Sequence, residues 1–212
     1  MKPILKILEQ AKGLILDFDG TLVDSNAIKR NAFEKCFADF PEHFETIIAY
    51  CKKNNHIPRQ IKFRHAFENI LRIPYTAAIE KKMLDCYAAE TTSPVITAPE
   101  IPGATKFLEQ FALDRETALL SSTPHEILLT ILAKRNMNRY FKTVRGAPVD
   151  KALWIKQFLK ERGFKNNEIL FIGDSLEDCS AAEKAKVPFL GIGPAPINKA
   201  HYSIPDFEGL VI

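Results

Sequence analysis

The spacing of apolar and polar residues changes character three times along this chain. Over residues 3–11, Ile4, Leu5 and Leu8 recur at helical spacing among charged neighbours and predict a short leading helix that Gly13 ends. Residues 14–18 are an apolar run that closes on an aspartate, which suits a central parallel strand buried on both faces. From Ser25 to about Thr92 strand-like runs vanish. Four amphipathic patterns replace them: 26–40, with Ile28, Ala32, Cys36, Phe37 and Phe40; a second from Pro41, with Phe44, Ile47, Ile48 and Cys51; a third from Pro58, with Ile61, Phe63, Phe67, Ile70 and Leu71; and a fourth from Pro74, with Ile79, Met83, Leu84 and Tyr87. The turn between the second and third falls at Asn54 and Asn55. Such helices joined by short polar turns predict a small bundle.

Residues 93–103, with three prolines, read as the return linker. Strands are then predicted at 117–121, 140–144, 168–172 and 187–192, and helices at 105–111, 124–135, 151–162 and 177–185. Strands alternating with helices of this length predict an α/β fold with a parallel, five-stranded core sheet covered by helices on both faces. The core spans 1–22 and 100–212, and an inserted helical domain spans 23–99.

Length and composition agree with this division. The chain has 212 residues, 46% apolar and 26% charged, enough for a domain and a smaller insert. A formal net charge of +3 is too small to argue for nucleic acid, and no basic stripe interleaves with aromatics. Four cysteines (Cys36, Cys51, Cys86, Cys179) lie far apart without a CxxC pair, so reduced thiols in a cytoplasmic protein are expected. Lys2, Lys6, Glu9 and Lys12 interrupt the N-terminal stretch, so no signal-peptide core is expected there, and no run reaches membrane-spanning length.

In a strand, residues two apart share a face, so Asp17 and Asp19 converge where the first strand ends. Two carboxylates this close call for compensation, and a divalent cation with oxygen ligands, Mg²⁺, supplies it. Ligands of parallel sheets bind outside the carboxyl ends of the strands, where Ser121, Ser122 and Asp174 also fall.

DFDGT, a strand ending in serine, a lysine opening a helix, and GDSLED, in this order, resemble the haloacid dehalogenase (HAD) superfamily of phosphatases. The insert resembles that superfamily's C1-type helical cap, and the core its Rossmann-like sheet. The resemblance implies a Mg²⁺-dependent phosphatase of a small phosphorylated metabolite, acting through an aspartyl-phosphate, in the phosphoglycolate phosphatase-like or β-phosphoglucomutase-like branch. Asp17 resembles the nucleophile and Asp19 the general acid/base. Gly20 and Thr21 belong to the phosphate loop, with Thr21 expected to orient Asp19. Ser121 resembles the phosphate-binding hydroxyl, with Ser122 as its competitor and Thr123 as a helix cap. Lys151 resembles the phosphate-binding lysine. The family commonly places it before a Pro-rich turn, whereas RGAPVDKALW puts it at a helix start, so Arg145 and Lys142 stay open. Asp17, the backbone carbonyl of Asp19, and Asp174 resemble the metal ligands, with Asp178 holding water ligands or bracing Lys151. Lys186 stands where relatives place a helix-ending glycine, which costs up to about 1 kcal/mol if the backbone there is left-handed.

In the insert, Arg59 and Lys62 share a helix face and are the candidates for contacting the leaving group, followed by Arg64, Lys29 and Arg30. A solvated basic face is the competing reading. His43, His56 and His65 have no metal-ligand spacing. The alternatives are a phosphomutase using the same residues and a catalytically silent module that binds a phosphorylated ligand. A dehalogenase is disfavoured because that branch lacks the second aspartate. No nucleic-acid or membrane partner is expected, and the protein is expected to act as a monomer or homodimer.

Overall fold

The computed structural model describes residues 2–54 and 57–211, so Asn55 of the expected turn and His56 lie outside the described residues. Contacts divide the chain into two compact units, Met1–Asp24 with Ala98–Ile212, and Ser25–Thr97.

In the first unit, β1 (Gly13–Leu16) is central in a six-stranded, wholly parallel sheet with β2 (Glu116–Pro124), β3 (Thr143–Ala147), β4 (Ile169–Gly173), β5 (Phe189–Ile192) and β6 (Tyr202–Ile204). The order is β3-β2-β1-β4-β5-β6. Leu14, Ile15 and Leu16 are fully buried, as a strand covered on both faces requires. Helices α1 (Lys2–Gln10), α6 (Ala104–Phe111), α7 (His125–Lys134), α8 (Lys151–Arg162) and α9 (Leu176–Ala185) cover the two sides. On one face Ile15, Phe171 and Phe189 pack with Ile155, Phe158 and Leu159 of α8 and with Ala181, Ala182 and Ala185 of α9.

The expected core had five strands, and β6 is the sixth. It is three residues long, half-exposed and lies at a sheet edge, so no apolar run announced it. β3 begins three residues later than expected. Tyr140 instead closes a 3₁₀ turn (Asn138–Tyr140), and it and Phe141 are buried without strand pairing. β2 runs on through the hydroxyl residues to Pro124 and places Ser121 and Thr123 inward and Ser122 outward.

The second unit contains α2 (Asn26–Cys36), α3 (Phe44–Lys53), α4 (Arg59–His65), which continues into a π-helical segment Ala66–Leu71, and α5 (Ala77–Thr97). Phe33, Phe37, Phe63, Phe67, Met83 and Tyr87 form its core, with the Phe33 and Tyr87 rings 4.8 Å apart. The expected linker begins too early, because α5 passes through Pro94 to Thr97. Proline removes one rung of helix hydrogen bonding, yet buried Val95 keeps the last turn anchored. The four thiols are free. Burial pushes the Cys51 thiol up to about 11. Cys36 is raised too, by burial first and then by the Cys86 sulfur 3.1 Å away. Among the described residues no helix is long and apolar enough to cross a membrane.

Lys186 ends α9 in the left-handed conformation, with φ 58° and ψ 39°. Lys186→Gly is therefore expected to raise unfolding stability by up to about 1 kcal/mol, read as a higher urea midpoint at unchanged slope. An unchanged midpoint would mean that the lysine side chain offsets the backbone strain.

Candidate active site

The site is built from strand ends and helix starts. β1 delivers Asp17, whose N–H donates to the Ile172 carbonyl of β4 at 2.9 Å and so continues the sheet one residue further. The chain then turns tightly. Gly20 has φ 80°, a conformation that suits glycine, and its N–H donates to the Val23 carbonyl at 2.8 Å. Asp17 and Asp19 are 5% and 8% exposed.

Lys151, 6% exposed, opens α8. Asp150 caps that helix by accepting the Leu153 N–H at 2.9 Å. The Lys151 ammonium donates to Asp17 Oδ1 at 2.8 Å and to Asp178 Oδ1 at 2.7 Å. Of the three cations weighed from the sequence, Lys151 is the one beside Asp17. Lys142 is half-exposed and pairs with Glu116, and Arg145 is exposed.

β4 ends at Gly173, and Ser175 caps α9 by accepting the Asp178 N–H at 3.1 Å. Its hydroxyl in turn donates to Asp178 Oδ2 at 2.5 Å. A Cβ on Gly173 would lie 2.7 Å from the Asp178 Cβ, so glycine is what lets β4 and the first turn of α9 close on each other. Both Asp178 oxygens are thus engaged, one by Lys151 and one by Ser175.

β2 supplies the hydroxyls. Ser121 Oγ lies 3.4 Å from Asp19 Oδ2, and Thr123 Oγ1 donates to that same oxygen at 2.8 Å. The Thr123 N–H donates to Ser121 Oγ at 3.1 Å. Two expectations change here. Among the described residues the buried Thr21 hydroxyl has no hydrogen-bond partner and so does not orient Asp19; Thr123 reaches it instead. Nor does Thr123 cap α7, whose cap position is Pro124 without a side-chain bond. Sequence reading passed over the role of Thr123. The available signal was its period-2 spacing from Ser121 on a strand that runs longer than its apolar stretch.

Electrostatically the cluster is short of positive charge. Burial pushes the Asp17 carboxyl well above the usual carboxylate range, with Asp178, Asp174 and Asp19 adding to the rise and Lys151 opposing it. Burial alone would lower the Lys151 ammonium, but Asp17 and Asp178 hold it above its usual value, so it stays charged. Carboxylate oxygens of Asp17, Asp174 and Asp178 come within 4.8 Å of one another. A hard, all-oxygen donor set with excess negative charge fits a divalent cation such as Mg²⁺.

Arg59 and Lys62 lie in the helical unit. The Arg59 guanidinium sits 4.7 Å from the Tyr87 ring centroid, and the Lys62 ammonium 5.0 Å from that of Phe33. Lys62 is 3% exposed, so it does not belong to a solvated basic face. Arg64 is half-exposed and pairs with Glu68.

Acidic side chains thus surround a buried lysine at the carboxyl ends of a parallel sheet in an α/β fold. The chain belongs to the haloacid dehalogenase-like hydrolase family, whose model matches residues 14–192. It is 25% identical over 189 residues to a phosphoglycolate phosphatase of Pseudomonas syringae pv. tomato, covering 83% of this chain and 67% of that protein. A predicted phosphoglycolate phosphatase from Haemophilus somnus has the same fold, with TM-score 0.76, 19% identity, and 95% and 96% of the two chains covered. So does a candidate HAD-hydrolase from Bacillus subtilis bound to magnesium, with TM-score 0.66, 17% identity, and 94% and 96% covered. The protein is therefore a phosphatase-like hydrolase.

Lys151→Met would strip the cation that, among the described residues, is bonded to both Asp17 and Asp178. In metal-free buffer it is expected to lower unfolding stability by about 3–5 kcal/mol, read by urea titration. Wild-type stability in the variant would mean that the carboxyls accommodate themselves without the ammonium.

Proposed function

We propose that the protein is a Mg²⁺-dependent phosphatase that hydrolyses a small phosphorylated metabolite through an aspartyl-phosphate. The observation that carries this reading is the buried Lys151 ammonium bonded to both Asp17 and Asp178 at the sheet's carboxyl end, with Asp174 alongside.

Asp17 is the nucleophile. A carboxylate oxygen attacks phosphorus, the bond from phosphorus to the ester oxygen breaks, and the alcohol leaves with a proton from Asp19. In the second half Asp19 takes a proton from water. That water attacks the aspartyl-phosphate, the bond between Asp17 and phosphorus breaks, and inorganic phosphate leaves. Lys151 sets positive charge beside Asp17, where the phosphoryl group gathers negative charge. Ser121 and the backbone after Asp19, through Gly20 and Thr21, bind phosphoryl oxygens. Asp17, Asp174 and the Asp19 carbonyl would hold the magnesium ion, which supplies positive charge against the buried carboxylates and the bound phosphate. Asp178, with both oxygens engaged, braces Lys151.

The Pseudomonas relative makes phosphoglycolate the first substrate to test. Arg59 and Lys62 are proposed to recognise a second anionic group on the leaving alcohol. Four free thiols support a reducing, cytoplasmic setting.

Asp17→Asn is expected to abolish phosphate release from p-nitrophenyl phosphate and phosphoglycolate in Mg²⁺; retained turnover would overturn the nucleophile. A binding measurement tests the metal separately. Millimolar Mg²⁺ should raise the thermal midpoint of the EDTA-treated protein, and Asp174→Asn should remove most of that rise. Sugar-phosphate isomerisation without phosphate release would favour a phosphomutase instead.

A further inference from the structure

We propose that Thr123 is a positioning residue that orients the Asp19 carboxyl for proton transfer. The inference rests on the proposed phosphatase reaction and deepens it. Three hydrogen bonds form a closed ring at the end of β2. The Thr123 N–H donates to Ser121 Oγ at 3.1 Å, Ser121 Oγ donates to Asp19 Oδ2 at 3.4 Å, and Thr123 Oγ1 donates to the same Oδ2 at 2.8 Å. All three side chains are buried, at 4%, 0% and 8% exposure for Thr123, Ser121 and Asp19, so water does not compete for these bonds.

The two hydroxyl contacts to Oδ2 are unequal. At 2.8 Å the threonine bond is a full hydrogen bond, whereas 3.4 Å is long for an O–H donor. Of the two hydroxyls, Thr123 therefore makes the tighter hold on the Asp19 carboxyl. In the proposed reaction Asp19 passes its proton to the leaving alcohol. The carboxylate created by that transfer keeps its hydroxyl partner on Oδ2, so no side chain has to reorganise as the charge appears. Thr21, nearer in sequence, does not take this role: among the described residues its hydroxyl has no hydrogen-bond partner. Strand register explains the choice. Thr123 lies two residues beyond Ser121 on the inward face of β2, next to the strand that carries Asp19 into the site.

A leaving group that is a weak base departs without help, while an alkoxide needs the proton. Mispositioning Asp19 should therefore penalise alkyl phosphates more than aryl ones. The test measures kcat/KM for p-nitrophenyl phosphate, phenyl phosphate and phosphoglycolate in Mg²⁺, for the unaltered enzyme, Thr123→Val, Thr123→Ala and Thr123→Ser. The quantity kcat/KM covers steps through departure of the alcohol and excludes hydrolysis of the aspartyl-phosphate. Loss of one orienting bond is expected to lower kcat/KM for phosphoglycolate at least about tenfold more than for p-nitrophenyl phosphate. The loss should lie in kcat rather than KM, and Thr123→Ser should restore most of it. Thermal melts select whichever of the valine and alanine variants is folded. An equal loss across all three esters, or no rescue by serine, would overturn the positioning role while leaving the phosphatase intact. If Thr123→Ser alone folds, a wild-type ratio of the three rates supports the role and a flattened ratio overturns it. No turnover of any ester by the unaltered enzyme would overturn both readings.

Discussion

One buried ammonium, shared between two carboxylates that come from opposite ends of the chain, is the interaction on which the core depends. Isolated, each of these charges would be expelled from an interior this dry. Together they are tolerated because the backbone holds them at hydrogen-bonding distance from three directions. β1 presents Asp17, the capped start of α8 presents Lys151, and the capped start of α9 presents Asp178. A lysine at a helix start is unfavourable on its own, since that end already carries partial positive charge. Its two acidic partners outweigh that penalty, so the position makes sense only in the folded arrangement. The same three groups put negative charge in excess of positive, an imbalance that suits a divalent cation.

Much of this was legible from residues alone, and the rest was hidden for a definite reason. The apolar run ending in Asp17, the alternation of strand and helix after Gly103, and GDSLED each depend on local pattern, and local pattern is what a sequence displays. Lys151 could be nominated, but separating it from Lys142 and Arg145 needed the burial that only the packed α8 confers. Ser121 and Ser122 were separable only through β2 being a strand at that point, with alternate faces. Thr123 escaped for the opposite reason. Its partner is more than a hundred positions away, and hydrogen bonds between neighbouring strands follow from register, which no local window reveals. β6 and the continuation of α5 through Pro94 lack a strong local signal as well. The first is an edge strand without an apolar face, and the second is a helix turn held by tertiary burial despite its proline.

The helical unit follows different physics. Its core is aromatic, with Phe33, Phe37, Phe63, Phe67 and Tyr87 meeting edge-on or tilted. Within it Arg59, Lys62 and Arg64 lie against rings, and Lys62 is almost wholly buried. A ring face is a permissive neighbour for an ammonium, since it offers negative potential without a formal charge.

The paired crossings at residues 22–24 and 99–101 bear on how the chain finds its fold. Val23 and Glu100 form an antiparallel bridge, the Asp24 N–H donates to the Pro99 carbonyl, and the Ile101 N–H donates to the Leu22 carbonyl. The outgoing and returning segments are thereby zipped together beside β1 and β2, neighbours in the sheet that the whole helical segment separates in sequence. Closing a long loop is entropically slow, yet the penalty grows only with the logarithm of loop length. Once the zip forms, the search that joins β1 to β2 no longer feels the size of what lies between. To the core, the helical unit is then a loop with fixed ends, exchangeable in size and content without altering the register of the sheet.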